Sequence, residues 1–441
     1  VDIEHLRSLY LDHVRTLETR YAKALAGAGF DAVVVHSGTP VKRTAFDDQY
    51  WPLRPTPEFQ LWAPLTEPDC FVVVQPGSKT KLVWPHCTSF WERPAEPEVT
   101  FFQDGLDVRR TDASELASLA GGSKRVAWIG EDTARAAALG FRDTNPKALL
   151  DALEHGRTLK TDYEVACLAE ANRRAALGHD AVLRAFEGGA KSELELHLVF
   201  LGATRQDDSE TPYKNIVALG SNGAVLHHVS YGRDATRAES LLLDAGATYL
   251  GYCSDITRTW ARPQGSAGKT FGGLVVAMEA MQKRLVERVA VGMPYEELHD
   301  ESHRQVSAIL KEAGIAKGSV EEIDKRGISR AFYPHGLGHS LGLQTHDVGC
   351  ATVKPRADNP FLRNTSKIEV GQTFTIEPGL YFIDGLLREL RGKPEGELVD
   401  WQLVDALAPF GGIRIEDDIL VRESGVRNFT REVLPTGGST V

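Results

Sequence analysis

The 441-residue chain has no run of apolar residues long enough to span a bilayer, no long low-complexity tract and no excess of basic residues. The first absence argues against a membrane partner, and the second leaves ordinary globular domains. The third, a formal net charge of −11, argues against nucleic acid as a partner, because affinity for phosphate backbones comes largely from clustered Lys and Arg. Cysteine is scarce: Cys70, Cys87, Cys167, Cys253 and Cys350 are scattered without paired spacing, as expected of a reduced compartment, so the cytoplasm is the expected location. Also missing are a Gly-rich phosphate loop, a GxSxG elbow and a CxxC pair, so nucleotide-binding, serine-hydrolase and thioredoxin-type functions lack their basic parts. The opening segment VDIEHLRSLYLDHVRTLETRYAKAL mixes charges with apolar residues at helical spacing and predicts an amphipathic helix rather than a secretory signal.

What is there suggests two domains, since the length exceeds that at which single cores usually stop growing. Short apolar segments (DAVVVHS, DCFVVVQP, TKLVWP, RVAWIG) alternate with helical ones (ASELASLA, NPKALLDALE), which predicts an α/β domain over 1–160. The Pro-rich stretch from Tyr50 to Pro64, with Trp51, Phe59 and Trp62, is an ordered surface loop whose aromatics serve either as anchors or as a contact to a partner or site. From Thr161 the pattern becomes that of long amphipathic helices followed by strands, and this order recurs downstream, so 161–441 is expected to hold two similar halves whose strands build one site.

Three clusters carry candidate chemistry. Asp244 and Asp255 lie in ESLLLDAGATYLGYCSDITRTW, in strand-like segments that a hairpin would bring together; an Asp closing a run such as LLL must be paired, hydrogen-bonded or metal-bound if buried. The Gly-rich segment YPHGLGHSLGLQTHD carries His335, His339 and His346, imidazoles suited to metal binding or proton transfer. Glu377 in FTIEPGLYF and Glu416 in GGIRIEDDILV add carboxylates on further strands, and period-two alternation puts Arg414 on the face of Glu416, there to hold a carboxylate or to bind substrate charge. A fourth pair, His299 and His303, shares one helix face but lacks the Glu that follows the first His in zincins, so it is expected on the helix surface. Asp244, Asp255, His339, Glu377 and Glu416 together offer four carboxylates and one imidazole, which balance two divalent cations. Oxygen-rich ligation favours Mn²⁺, with Co²⁺, Fe²⁺ or Zn²⁺ also compatible.

The ordered set SLLLDAG, CSDITRTW, HGLGH, TIEPG and IRIEDD resembles the pita-bread metallopeptidases over nearly the whole chain, and its details resemble the bacterial Xaa-Pro dipeptidase (prolidase) and organophosphorus acid anhydrolase branch. Relatives that take Xaa-Pro from longer peptides have a shorter run between the two glutamates. Here 39 positions separate Glu377 from Glu416, which resembles the dipeptidase branch rather than aminopeptidase P. The resemblance implies a creatinase-like N-terminal α/β domain followed by a pita-bread catalytic domain. It further implies that Asp244 chelates one metal, that Asp255 and Glu416 bridge both, and that His339 and Glu377 complete the second, with a hydroxide between them.

The same resemblance implies that His227, His335 and His346 line the substrate pocket, with Arg414 facing it and Tyr213 beside it. His228 competes with His227 for that place; the distance in sequence to Asp244 favours His227. A homodimer is implied, with Asp48 reaching the partner's site. The expected reaction is hydrolysis of the imide bond of dipeptides ending in proline, Glu377 shuttling the proton and His335 or His346 steadying the oxyanion, with organophosphate hydrolysis as a side activity. Proline selects such an enzyme because the Xaa-Pro bond lacks an N–H. The rivals are aminopeptidase P, a metal-free creatinase-type hydrolase and a pita-bread binding module without catalysis; retention of all five candidate ligands argues against the last two.

Overall fold

The apolar segments of the N-terminal part are too short for helices and too continuous for one-sided strands, so they pair into a sheet buried on both faces. In the computed structural model, which describes residues 2–87, 90–91, 96–348 and 353–441, six strands run in the order Asp107–Arg109, Lys81–Val83, Phe71–Val74, Ala32–His36, Val126–Ile129 and Asp143–Thr144. Ala32–His36 is central, antiparallel to Phe71–Val74 and parallel to Val126–Ile129, and all five of its residues are buried. The opening segment forms the helix Ile3–Ala28, started by the Asp2 carboxylate on the N–H groups of Glu4 and His5 and stopped by Gly29 in the left-handed region. In the Pro-rich stretch Phe59 and Trp62 are fully buried anchors, whereas Trp51 is exposed. Of the five cysteines, Cys350 lies outside the described residues.

The chain divides into two compact units, residues 1–167 with 250–252 and residues 168–249 with 253–441, the division falling inside the helix Asp162–Glu187. In the second unit two helices are followed by strands, twice over. The first set is Asp162–Glu187 and Glu193–Thr204 with strands Ile216–Leu219, Ser240–Asp244 and Thr257–Ala261, to which Gly438–Thr440 adds a parallel edge. The second is Gly265–Glu287 and Tyr295–Glu312 with strands Thr373–Ile376, Asp417–Arg422 and Gly425–Asn428, plus the pair Gly379–Tyr381 and Gly412–Arg414. One bridge, Thr257 to Glu416, joins the sheets of the two halves. No helix among the described residues is long and apolar enough to cross a membrane.

Two local expectations need correction. Of the acidic residues expected within strands, only Asp244 is in one; Asp255, Glu377 and Glu416 occupy the breaks just before or between strands, where the backbone turns and the side chain can be aimed. His299 and His303 are not surface residues: at 2% and 3% exposure they lie on the core face of their helix, rings 4.7 Å apart and packed on Tyr333. Their helix buries Leu298, Val306, Ile309 and Leu310 as well, so its apolar stripe is wide enough to take in both imidazoles.

Candidate metal centre

Asp244 ends a fully buried strand opposite Thr257, and the Ala245 N–H to Ile256 carbonyl bond closes the turn that brings Asp255 beside it. The segment before His339 is zipped to the strand Thr373–Ile376: Thr375 N–H donates to the His339 carbonyl, the His339 N–H to Thr375 Oγ1, and Glu377 N–H to the Leu337 carbonyl. Gly338 permits this approach, because a side chain there would run into the Thr375 carbonyl and the Tyr295 hydroxyl. His339 and Glu377 are thereby presented together. Glu416 joins them through the bridge to Thr257, whose hydroxyl donates to Glu416 Oε2 at 2.6 Å.

These elements converge on one buried point. His339 Nε2 is 3.3 Å from Asp255 Oδ2, 3.7 Å from Glu377 Oε1 and 3.9 Å from Glu416 Oε1, and donor atoms of Asp255, His339 and Glu416 all lie within 4.8 Å of one another. His339 Nδ1 faces the Ser340 carbonyl at 3.1 Å, which can only accept, so that nitrogen carries a proton and Nε2 is turned to the carboxylates, the orientation of a metal-binding imidazole. Asp244 Oδ1 is buried without a hydrogen-bond partner, as is the Tyr213 hydroxyl. Burial, reinforced by the neighbouring carboxylates, pushes Glu377 up to about 7 and Glu416 well above its usual range. The crowd of negative groups leaves an electrostatic debt that divalent cations would cancel, and the orphaned oxygen and oriented imidazole suit the same occupant.

Around this point each nitrogen of Arg414 has a partner: Nη2 donates to Asp244 Oδ2 at 2.6 Å, Nε to Thr257 Oγ1 at 3.2 Å and Nη1 to the Tyr381 hydroxyl at 2.9 Å. His335 is engaged as well. Its Nδ1 donates to the Gly336 carbonyl at 2.8 Å, so Nε2 accepts from the Tyr381 hydroxyl at 2.7 Å, and burial holds the ring neutral, at about 3. His346 packs edge-on against His339 with centroids 4.4 Å apart and is itself exposed. Although the residue is exposed as a whole, desolvation of its ring, with His339 and Arg363 adding to it, holds it below the ordinary imidazole range. His227 is exposed and near enough to act electrostatically on both His335 and His346. Asp48 belongs to the other unit, where it is an exposed loop residue accepting from the Gln49 side chain.

Residues 166–423 match metallopeptidase family M24, and residues 8–155 match the N-terminal domain of Xaa-Pro dipeptidases. The chain belongs to metallopeptidase family M24. It is 39% identical to an Xaa-Pro dipeptidase of Pseudoalteromonas atlantica, covering 98% of this chain and 99% of the relative, and 40% identical to one of Aeromonas hydrophila, covering 96% and 98%. Among solved structures it superposes on proline aminopeptidase P II from Yersinia pestis with a TM-score of 0.71 at 24% identity, covering 96% of this chain and 97% of that one. It does so on zinc-substituted E. coli aminopeptidase P in complex with product with a TM-score of 0.70 at 23% identity, covering 95% and 96%. The expected architecture, an N-terminal α/β domain and a pita-bread catalytic domain, is borne out.

Several residues of this M24 site escaped sequence reasoning. Thr257 links Glu416 to Arg414, and Tyr381 links Arg414 to His335. Behind the carboxylates, Asp418 Oδ2 accepts from the Asp255 N–H at 3.0 Å and from Asn172 at 2.8 Å, and Arg258 pairs with Asp417 at 3.0 Å with both side chains fully buried. The run Glu416-Asp417-Asp418 leading into the buried strand Asp417–Arg422 was the available signal, since three consecutive acids there each demand partners.

Proposed function

We propose that this chain is a metal-dependent Xaa-Pro dipeptidase, hydrolysing dipeptides that end in proline, with 1–160 as the N-terminal and 161–441 as the catalytic domain. The observation that carries the reading is the convergence of Asp255, His339, Glu377 and Glu416 on one buried point beside the orphaned Asp244 oxygen. Full-length relatives named Xaa-Pro dipeptidase support the substrate class. Asp244 would hold one cation, Asp255 and Glu416 would be shared, and His339 and Glu377 would complete the second. A pair of divalent cations, Mn²⁺ by the hard-oxygen donor set with Co²⁺, Fe²⁺ or Zn²⁺ as alternatives, supplies Lewis acidity toward the scissile carbonyl and makes water more acidic.

The chain's own residues then divide the work. Glu377 takes the proton of the attacking water and returns it to the departing prolyl nitrogen. Both ring nitrogens of His335 are occupied, so the oxyanion falls to His346 rather than His335, and His335 shapes the pocket wall. Of the two roles open to Arg414, holding a carboxylate is favoured, because each of its three nitrogens already has a partner inside the protein. Recognition of the substrate's terminal carboxylate is left to His227, with Tyr213 alongside.

A homodimer acting in the cytoplasm completes the reading. The loop of Asp48, with Phe46 fully exposed and Trp51 more than half exposed, offers an apolar contact by which Asp48 would reach the partner's site. The same centre would attack organophosphates as a side reaction.

The test is an assay of metal-stripped protein reloaded with Mn²⁺ on Ala-Pro, Leu-Pro and Ala-Pro-Gly. Metal-dependent proline release from the dipeptides alone supports the reading. Cleavage of Ala-Pro-Gly would transfer it to aminopeptidase P, and no metal-dependent cleavage would sink both.

A further inference from the structure

Glu193 is a buried carboxylate, its side chain 3% exposed, in the first turn of the helix Glu193–Thr204, and none of its four hydrogen-bond donors is a candidate metal ligand. Each of its oxygens receives two donors. Oε1 accepts from the Leu219 N–H at 2.9 Å and Asn222 Nδ2 at 2.8 Å; Oε2 accepts from His228 Nε2 at 2.8 Å and the Gly232 N–H at 2.8 Å. Burial alone would raise this carboxyl, yet the donors, led by Gly232 and Leu219, hold it below its ordinary range. The four donors come from both ends and the middle of one loop, which leaves the strand Ile216–Leu219 and returns to pair alongside the helix start, where Leu194 N–H donates to the Gly232 carbonyl.

The neighbour of the clasped His228 is His227, exposed and acting on both His335 and His346. We propose that Glu193 is a positioning residue for His227: by clasping residues 219–232 and holding the His228 ring, it leaves His227 as the imidazole of this pair that faces the pocket. The inference rests on the dipeptidase reading for what His227 binds, but the placement itself does not. On the opposite side, Gly220 and Gly223 approach Gly411 and Gly412 so closely that a side chain at Gly411 would run into the Gly220 carbonyl, which backs the loop against the segment leading to Arg414. The loop is thus fixed by packing on one side and by one carboxylate on the other. Removing the carboxylate frees the His227 side of the loop while the backing contacts remain.

The experiment compares wild type, Glu193→Gln, Glu193→Asp and His228→Ala, each alone and combined with His227→Ala, loaded with Zn²⁺ or Mn²⁺. A glutamine cannot accept all four donors, whereas aspartate keeps the charge; His228→Ala removes one bond at a partly exposed position and covers the case in which Glu193→Gln fails to fold. In Glu193→Gln, KM for Ala-Pro is expected to rise about tenfold with kcat changed less than about threefold and Mn²⁺ affinity unchanged, Glu193→Asp recovering part of the loss. Adding Glu193→Gln to His227→Ala is expected to raise KM no further, because both act through one group.

The ring ¹⁵N signal of His227 in the Zn²⁺-loaded protein, assigned by its loss in His227→Ala, is expected to shift in Glu193→Gln and His228→Ala. Additive KM effects, or an unshifted His227 signal, would overturn the inference. If wild type fails to cleave dipeptides, the dipeptidase reading falls, and the His227 signal still decides the placement.

Discussion

Arg414 places Nη2 2.6 Å from Asp244 Oδ2, joining the two halves of the catalytic unit with both side chains almost completely buried. Breaking a buried pair strands the remaining charge, which costs about 3–5 kcal/mol. Arg414→Met is therefore expected to lower unfolding free energy by about that much and to weaken Mn²⁺ binding at least tenfold, read by denaturant titration and calorimetry. Wild-type stability in this variant would show that the pair does not hold Asp244.

Glu377 stands both as a candidate ligand and as the proton carrier. Metal-replete Glu377→Ala is expected to lose at least about 10³-fold in kcat on Ala-Pro, since general acid–base catalysis alone contributes 10²–10⁴-fold. Turnover at the wild-type rate with full metal content would remove Glu377 from the mechanism.

Gly338→Ala tests the zipper between residues 337–341 and the strand Thr373–Ile376. The added methyl has backbone ahead of it in the Thr375 carbonyl, which cannot swing aside. A stability loss of about 2–4 kcal/mol is expected, together with loss of high-affinity metal binding, because His339 is displaced with the backbone. A melting temperature within a degree or two of wild type would contradict the close approach.

Metal addition is expected to stabilise the fold, since the crowded carboxylates repel one another without it. At a free Mn²⁺ concentration of about 100 times its dissociation constant the gain is about 2.7 kcal/mol, reversed by chelator. Unfolding curves that coincide with and without Mn²⁺ would mean that this cluster does not hold the ion.

Acid sensitivity follows from two buried histidines that are not candidate ligands. Burial holds His179 at about 3 and His299 at about 4, both below the ordinary value of 6.5. As the pH falls the unfolded chain takes up these protons first, so the stability they preserve is full above about 6.5 and is lost progressively toward the folded-state values. Each contributes a slope of up to about 1.4 kcal/mol per pH unit across that window. His179→Gln is expected to flatten the dependence of unfolding free energy between pH 6.5 and 4 by that amount; an unchanged slope would mean that His179 is protonated in the folded state.

The elements of this fold were legible because their signals are local. Ala32–His36, Phe71–Val74 and the helices of the catalytic unit each follow from a run or a period within one stretch of chain. The His299–His303 face was misread because helical spacing states which residues share a face but not how wide the neighbouring core is. Asp255, Glu377 and Glu416 were found as residues and misplaced as strand positions, since propensity does not register where a strand breaks to aim one side chain.

By itself the sequence determined the candidate donors: Asp244, Asp255, His339, Glu377 and Glu416, in an order and in motif surroundings that resemble one family of metallopeptidases. The tertiary structure alone decided what each group near that set is free to do. The hydrogen bonds that hold Arg414, fix the His335 tautomer and clasp His228 come from residues far apart in sequence, such as Asp244 with Arg414 and Glu193 with His228. A polar group's role depends on which of its donors and acceptors remain unused, and that is set only when the chain has brought its partners to within hydrogen-bond distance.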